Sequence, residues 1–234
     1  PHVVKRNIFP KVLNDIRLHY IEYFDYFMNQ KNTLGLNSCF LDLDDPIELF
    51  KKWMSEAEKK EINDPNALSL ATADTKNEPS VRMVLLKGLS HKGFVFYTNL
   101  NSPKSQDLQK NPKAAMCFHW KSLQRQVRVS GNVSQVSDHE ADLYYKSRPY
   151  KSKIGAWASD QSNVMQERKD LLKKIEEFEK KFNDETKLSR PEYWSGWCLN
   201  PTSIEFWLGD EFRIHERLRY SKVSNKWKKE ILYP

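Results

Sequence analysis

The sequence predicts a mainly β protein with peripheral helices (α+β), its strands closed as an antiparallel barrel. Three observations lead there. Short apolar segments of strand length crowd the middle and the tail of the chain. The helical segments are few and do not alternate with strands, which argues against a doubly wound parallel sheet and for a barrel. The 12 Phe, 10 Tyr and 7 Trp supply ring surface suited to a β-rich core or to flat ligands.

Residues 1–44 are aromatic and irregular, with Tyr20, Tyr23, Phe24, Tyr26 and Phe27 close together, and read as an N-terminal arm. Residues 45–234 read as one domain. Asp45-Pro46-Ile47-Glu48 places an N-cap, a proline at the first helical position and a capping-box Glu. Phe50, Trp53, Met54 and Ala57 follow at helical spacing, and the helix ends near Asn63-Asp64-Pro65. Strands are predicted over 67–73, 81–87, 94–98, 114–120 and 124–136, with turns at Asn77-Glu78-Pro79 and at Ser90-His91-Lys92-Gly93. Ser102-Pro103 opens a short helix to Lys110, and Ser137 with Glu140 forms a second capping box for a helix that stops before Pro149. Ser162, with Gln161 before it, reads as an N-cap, and a long charged helix is predicted over 164–182. The tail returns to strands at 197–199, 203–207, 212–220 and 226–232.

Composition excludes several classes. The charge balance is 38 Lys+Arg against 31 Asp+Glu, a net +7 too mild to name an anionic partner unless it is clustered. The basic tail (Arg217, Arg219, Lys222, Lys226, Lys228, Lys229) carries no nucleic-acid motif, so no nucleic-acid partner is expected. The longest apolar run, Ala114 to Phe118, is too short for a membrane span, and no secretory signal is visible. Cys39, Cys117 and Cys198 fit neither a disulfide framework nor a zinc pattern, which predicts reduced thiols and a cytoplasmic protein. There is no GxGxxG, P-loop, HExxH or GxSxG. With only 7 glycines, any phosphate must be held by side chains.

Three groups of side chains could do so. In the segment 81–87, alternation puts Arg82, Val84 and Leu86 on one face and Met83, Leu85 and Lys87 on the other, with a cation near each end. At a period of two, Arg213, His215 and Arg217 share a strand face. Tyr144 and Arg148, four apart, share a helix face ahead of Ser152. Each group also has an ordinary reading: solvated strand-end charges, an exposed edge strand, or a Tyr packed over an Arg stem.

Taken in order, the segments 82–87 (RMVLLK), 96–99 (FYTN), 125–129 (RQVRV), Ser147-Arg148-Pro149, 154–157 (IGAW), Gln161-Ser162 and 204–217 (IEFWLGDEFRIHER) resemble the pyridoxine (pyridoxamine) 5′-phosphate oxidase family, from about residue 45 to the end. The resemblance implies an FMN-binding split barrel of antiparallel Greek-key type, working as a homodimer with its sites at the subunit interface. It implies that Arg82, Met83, Val84, Leu85, Leu86, Lys87, Tyr97, Thr98, Ser102, Lys104, Gln126, Gln161, Ser162, Trp207 and Arg217 bind FMN, Arg82 at its phosphate. Lys87, Tyr144, Arg148 and Ser152 would hold the substrate phosphate, and Arg213 and His215 would sit against the substrate ring as catalytic residues. The implied reaction converts pyridoxine 5′-phosphate or pyridoxamine 5′-phosphate to pyridoxal 5′-phosphate, with dioxygen as acceptor, releasing hydrogen peroxide and, from the amine, ammonia.

The chain departs from the family pattern in three places. Pro103 and Ile231 stand where arginines are usual, so one FMN-phosphate contact is expected to be missing at Pro103. Arg17-Leu18-His19-Tyr20 resembles a substrate-covering RxxY, with a longer spacer behind it. Two other readings stay open: a different split-barrel flavoprotein, such as a flavin reductase-like enzyme, or a non-catalytic binder of flavin or pyridoxal phosphate. The joint presence of Tyr144, Arg148, Arg213 and His215 favours the oxidase.

Overall fold

The computed structural model describes residues 31–234. They fall into two units divided between Asp44 and Asp45. The described part of the first holds an isolated Lys31–Asn37 bridge and a 3-10 turn, Ser38–Phe40, where the Asn37 side chain accepts from the Cys39 N–H. The aromatic cluster at 20–27 and the RxxY segment at 17–20 lie outside the described residues.

The second unit begins with helix α1 (Pro46–Lys60). Asp45 caps it by accepting from the Ile47 N–H at 2.8 Å, whereas Glu48 pairs with Lys51 at 2.7 Å. Phe50, Trp53 and Ala57 are fully buried, as their spacing requires. Phe50 packs edge-on at 4.9 Å against both Phe94 and Phe118, and Trp53 at 5.2 Å against Phe206. One face of one helix therefore anchors three strands.

Nine strands form a single antiparallel sheet: β1 (Ala67–Ala73), β2 (Pro79–Leu85), β3 (Gly88–Ser90), β4 (Gly93–Asn99), β5 (Lys113–Trp120), β6 (Arg125–Gln135), β7 (Trp194–Leu208), β8 (Glu216–Val223) and β9 (Lys226–Leu232). The order is β2-β1-β5-β6-β7-β4-β3, with β8 and β9 added beyond β7. This mainly β, antiparallel architecture with peripheral helices is the fold class that the sequence predicts. Helices α2 (Pro103–Lys110), α3 (Asp138–Ser147), α4 (Tyr150–Ala158) and α5 (Arg168–Lys181) lie outside the strands in sequence, and Ile154 of α4 packs with Phe182 and Leu188 in a satellite core.

Strand β7 organises the sheet. One edge pairs with β6 from Trp197 to Leu208. The other is shared: 194–199 pair with β4 and 203–208 with β8. Between them the register slips, Gly131 facing Pro201 and Ser130 facing Ser203, so Thr202 is an extra residue on β7. Proline lacks an N–H for the ladder, and a Cβ on Gly131 would lie 2.0 Å from the Asn200 oxygen. The extra residue switches parity. Trp197 and Leu199 are buried before it, Ile204 and Phe206 after it, so the core side stays apolar across the slip.

Several boundaries differ from the sequence reading. The segments 197–199 and 203–207 are one strand, because the bulge carries the chain through Pro201. Residues 150–158 form a helix that Pro149 starts rather than prevents. The charged helix begins at Arg168 behind an N-cap at Glu167, so Ser162, at φ +69°, caps nothing there. Strand β8 begins at Glu216, so Arg213, His215 and Arg217 do not share a strand face.

Replacing Phe50 by Ala should destabilise the protein by about 3–5 kcal/mol, the cost of an unfilled aromatic site. Phe212→Ala, at a position 81% exposed, should change stability by less than about 0.5 kcal/mol. Urea unfolding monitored by far-UV circular dichroism measures both.

Candidate active site

A cleft of about 520 Å³ lies among β2, β4, α4 and the start of β7. Met83, Val84 and Leu85 line it from β2, followed by Lys87. From β4 come Tyr97 and Thr98; Tyr144 and Arg148 enter from α3 and its C-cap, Ser152 from α4 and Gln161 from the loop beyond. Spacing groups the 81–87 segment and, separately, Tyr144, Arg148 and Ser152; only the resemblance joins these residues, scattered over some eighty positions, into one site.

One polar group is built around Lys104 on α2. Its ammonium donates to Thr98 Oγ1 at 3.1 Å, Ser102 Oγ at 2.9 Å and Gln161 Oε1 at 3.0 Å. Thr98 also donates to Gln161 Oε1, and the buried Ser102 hydroxyl donates to the Asn99 carbonyl, which orients its lone pairs toward Lys104. Burial, and secondarily Arg82, lowers the Lys104 pKa to about 8. Arg82 itself donates to the Leu70 carbonyl at 3.1 Å, to Thr72 Oγ1 at 2.8 Å and to Ser80 Oγ. It adds positive potential behind Lys104 rather than lining the cleft.

A second group is built around Arg148. The Tyr97, Tyr144 and Trp194 rings lie nearly parallel, Tyr97 3.9 Å from Tyr144 and 5.4 Å from Trp194. Gly196 makes room, since a Cβ there would lie 2.8 Å from the Tyr97 ring. The Arg148 guanidinium rests 4.7 Å above Trp194, and its Nη1 is buried without a hydrogen-bond partner among the described residues. Burial lowers the Arg148 pKa, the nearby Tyr144 and Tyr145 opposing the shift. A buried, unsatisfied cationic donor costs free energy that an anion in the cleft recovers. Burial, with Glu140 next in weight, pushes the Tyr97 phenol up to about 12, so it stays protonated as a donor.

The remaining predicted residues stand elsewhere. Gln126 on β6, Trp207 on β7 and Arg217 on β8 are consecutive in cross-strand register. The His215 ring lies 4.7 Å from Trp207, and its Nδ1 accepts the Asp210 backbone N–H at 3.1 Å. The proton of a neutral His215 is therefore on Nε2, which is left to donate outward. Arg213 occupies the same turn at φ +60°. Along β7, Gly196, the partner of Tyr97, and Trp207 are eleven residues apart, roughly 35 Å of strand at ~3.3 Å per residue. One chain thus carries two separate clusters. Leu86 is buried and Ser162 lies beside the cleft in the loop before α5.

Trp194, Asn99, Gly155, Ala156 and Ser159 also line the cleft and were missed from sequence. For Trp194 a signal existed: Ser195-Gly196 between two tryptophans marks a strand where another ring approaches closely.

The depressed Lys104 value has a consequence for stability. Between about pH 8 and its ordinary 10.5, the unfolded state binds more protons at this residue than the folded state, so its contribution to stability rises with pH. The ligand-free protein should therefore gain in thermal midpoint relative to Lys104→Met between about pH 7 and pH 10. A constant difference would mean that the ammonium is not desolvated.

Residues 54–182 match the family described as pyridoxamine 5′-phosphate oxidase, and residues 194–234 match the pyridoxine 5′-phosphate oxidase C-terminal dimerisation region. A relative from Pelagibacter ubique, named pyridoxine/pyridoxamine 5′-phosphate oxidase, is 62% identical over 208 residues, covering 88% of this chain and 100% of the relative. One of the same name from Sinorhizobium fredii is 51% identical over 197 residues, covering 83% and 95%. Among solved structures, PhzG from Burkholderia lata, crystallised with tetrahydrophenazine-1-carboxylic acid, superposes with a TM-score of 0.79 at 28% identity, covering 88% of this chain and 100% of its own. A pyridoxamine 5′-phosphate oxidase-related, FMN-binding protein from Nostoc punctiforme shares the fold, with a TM-score of 0.66 at 14% identity over 81% of this chain and 98% of its own. The ordered motifs, the split barrel and these matches over most of the chain agree: the chain belongs to the pyridoxamine 5′-phosphate oxidase family.

Proposed function

We propose that the protein oxidises pyridoxine 5′-phosphate and pyridoxamine 5′-phosphate to pyridoxal 5′-phosphate in an FMN-dependent reaction. Dioxygen accepts two electrons and two protons to leave as hydrogen peroxide, and water hydrolyses the imine formed from the amine substrate to the aldehyde and ammonia. The observation that carries this reading is that one cleft contains two built cation sites, Lys104 in its hydroxyl and amide cradle and Arg148 with an unsatisfied buried donor. Two phosphate-bearing molecules, a cofactor and a substrate, fit that pair.

On this reading Lys104, Thr98 and Ser102 take the FMN phosphate, with Arg82 adding charge from behind. The flanking Met83, Val84 and Leu85, with Gln161 and Ser162, form walls for the flavin. Lys87, Tyr144, Arg148 and Ser152 take the substrate phosphate, a group remote from the carbon being oxidised. FMN, when bound, supplies hydride acceptance from C4′ and return of the electron pair to dioxygen. The chain's own residues bind, orient and exclude water. Arg213 and the Nε2–H of His215 face the substrate ring and fix its angle, where small errors in approach cost rate.

Gln126, Trp207, His215 and Arg217 stand too far along β7 from the cleft of the same chain to complete it. A homodimer, in which the cluster of one protomer meets the cleft of its partner, resolves the separation. The match of 194–234 to a dimerisation region supports this arrangement. So do Val81, Met83 and Leu85, which leave one side of edge strand β2 apolar and exposed. Three free cysteines support a reducing, cytoplasmic location, and among the described residues no helix is long and apolar enough to cross a membrane.

The purified protein should be a yellow dimer with one non-covalent FMN per chain, and should release peroxide on addition of pyridoxamine 5′-phosphate. A colourless protein that does not quench FMN fluorescence would end the proposal. Arg148→Ala should retain FMN while raising KM by about 10- to 100-fold, the loss of one charge-assisted hydrogen bond. Lys104→Ala should lose flavin. The opposite pattern in flavin stoichiometry and steady-state kinetics would reverse the two phosphate assignments.

A further inference from the structure

Cross-strand register places Glu205 of β7 between Arg128 of β6 and Arg219 of β8, two residues along from the Gln126, Trp207, Arg217 row and on the same face. Glu205 is buried, 8% exposed, which is unusual for a carboxylate and demands partners. Its in-register neighbour Arg219 turns the other way, to Glu230 at 2.9 and 3.2 Å. Glu205 instead reaches diagonally. Its Oε1 accepts from both Nε, at 3.0 Å, and Nη2, at 2.7 Å, of Arg217, and its Oε2 accepts from Arg128 Nη1 at 3.4 Å.

The remaining bonds of Arg217 fix what it can offer. Its Nη1 donates to the Tyr233 carbonyl at 3.0 Å. Of the five N–H groups of a guanidinium, two are on Glu205 and one is on Tyr233. What is left is one hydrogen on each Nη, two terminal donors for an anionic acceptor. Without Glu205, Arg217 would be free to fold onto Trp207, its direct cross-strand neighbour, in a cation–π contact that would use up the ring face.

We propose that Glu205 is a positioning residue of the flavin site, which holds Arg217 by one edge, braced from behind by Arg128, so that its two remaining terminal donors are presented to the cofactor. The proposal rests on the functional reading above, because it takes Arg217 to be a flavin ligand. It adds a residue that never touches the ligand, yet sets the geometry of one that does.

A double-mutant cycle on the full-length protein tests it, reading FMN affinity by fluorescence quenching, kcat and KM, and the unfolding midpoint. Arg217→Ala and Glu205→Ala should each weaken FMN binding by about tenfold or more, the range for a lost charge-assisted hydrogen bond. Adding Glu205→Ala to Arg217→Ala should cost less than a further twofold, because the second residue acts only through the first. Glu205→Gln keeps an acceptor oxygen and should stay within about threefold of wild type, whereas Glu205→Asp keeps the charge but not the reach and should weaken binding about fivefold or more. If Glu205→Ala does not fold, the Gln and Asp variants carry the same comparison. Multiplicative losses in the double variant, or a folded Glu205→Ala or Glu205→Asp variant with unchanged FMN affinity, would overturn the proposal while leaving the functional reading intact. Full flavin affinity in Arg217→Ala would remove Arg217 from the site, and the proposal with it.

Discussion

The hydrogen bonding of β7 is the constraint on which the rest depends. A strand has two edges, and β7 gives one to β6 from Trp197 onward while dividing the other between β4 and β8. A single strand therefore belongs to the cleft at its first half and to the Trp207 cluster at its second. Helix α1 buries Phe50 and Trp53 against β4, β5 and the second half of β7, tying both halves to one core. Closing the sheet further would bury one cluster; opening it would expose that core. The split in the barrel is the geometry that keeps both usable.

Within that frame the two cations in the cleft are prepared differently. Lys104 has all three ammonium hydrogens engaged by neutral oxygens, so it is held in place while its charge remains uncompensated. Arg148 is held by stacking on Trp194 and leaves one nitrogen unsatisfied. Neither is paired with a carboxylate in the cleft, in contrast to Arg190, which is clamped by Asp138 and Asp142. Buried cations without counter-ions are costly to the folded chain. Their persistence together in one cleft is what a pair of phosphate ligands would explain, in a chain too poor in glycine for a backbone cradle.

Much of this was legible in the sequence, and the failures have physical causes. The strands over 67–73 and 226–232 match the sequence reading to the residue, because turn formers bound them: Asp64-Pro65-Asn66 and Asp74 around the first, Ser224-Asn225 and Pro234 around the second. The α4 helix was missed because Pro149 reads as a break, although at a helix start it is favourable. Strand β7 was divided because Pro201 lies in its middle, where a bulge removes the need for an N–H. The shared face of Arg213, His215 and Arg217 failed because His215 uses Nδ1 to close the turn that precedes β8. Spacing singles out Arg148 with Tyr144, and the resemblance adds Lys104; their isolation from carboxylates is a fact of tertiary structure that no local spacing reports. Trp194 escaped although the small Ser195-Gly196 pair beside it marks a close ring approach.

The single extra residue at Thr202 has a bearing on how such a chain can vary over evolutionary time. Side chains on the two halves of β7 are kept in phase by that one residue, so the segment behaves like a reading frame. Substitutions along its outer face change one side chain each. A deletion at 202 would turn Phe206 and Ile204 outward and Glu205 and Trp207 inward at once, discarding core and site in one event. Length between Trp194 and Leu208 is therefore under far tighter constraint than composition, and inserted or lost residues should accumulate instead in the loops before α5 and between β8 and β9.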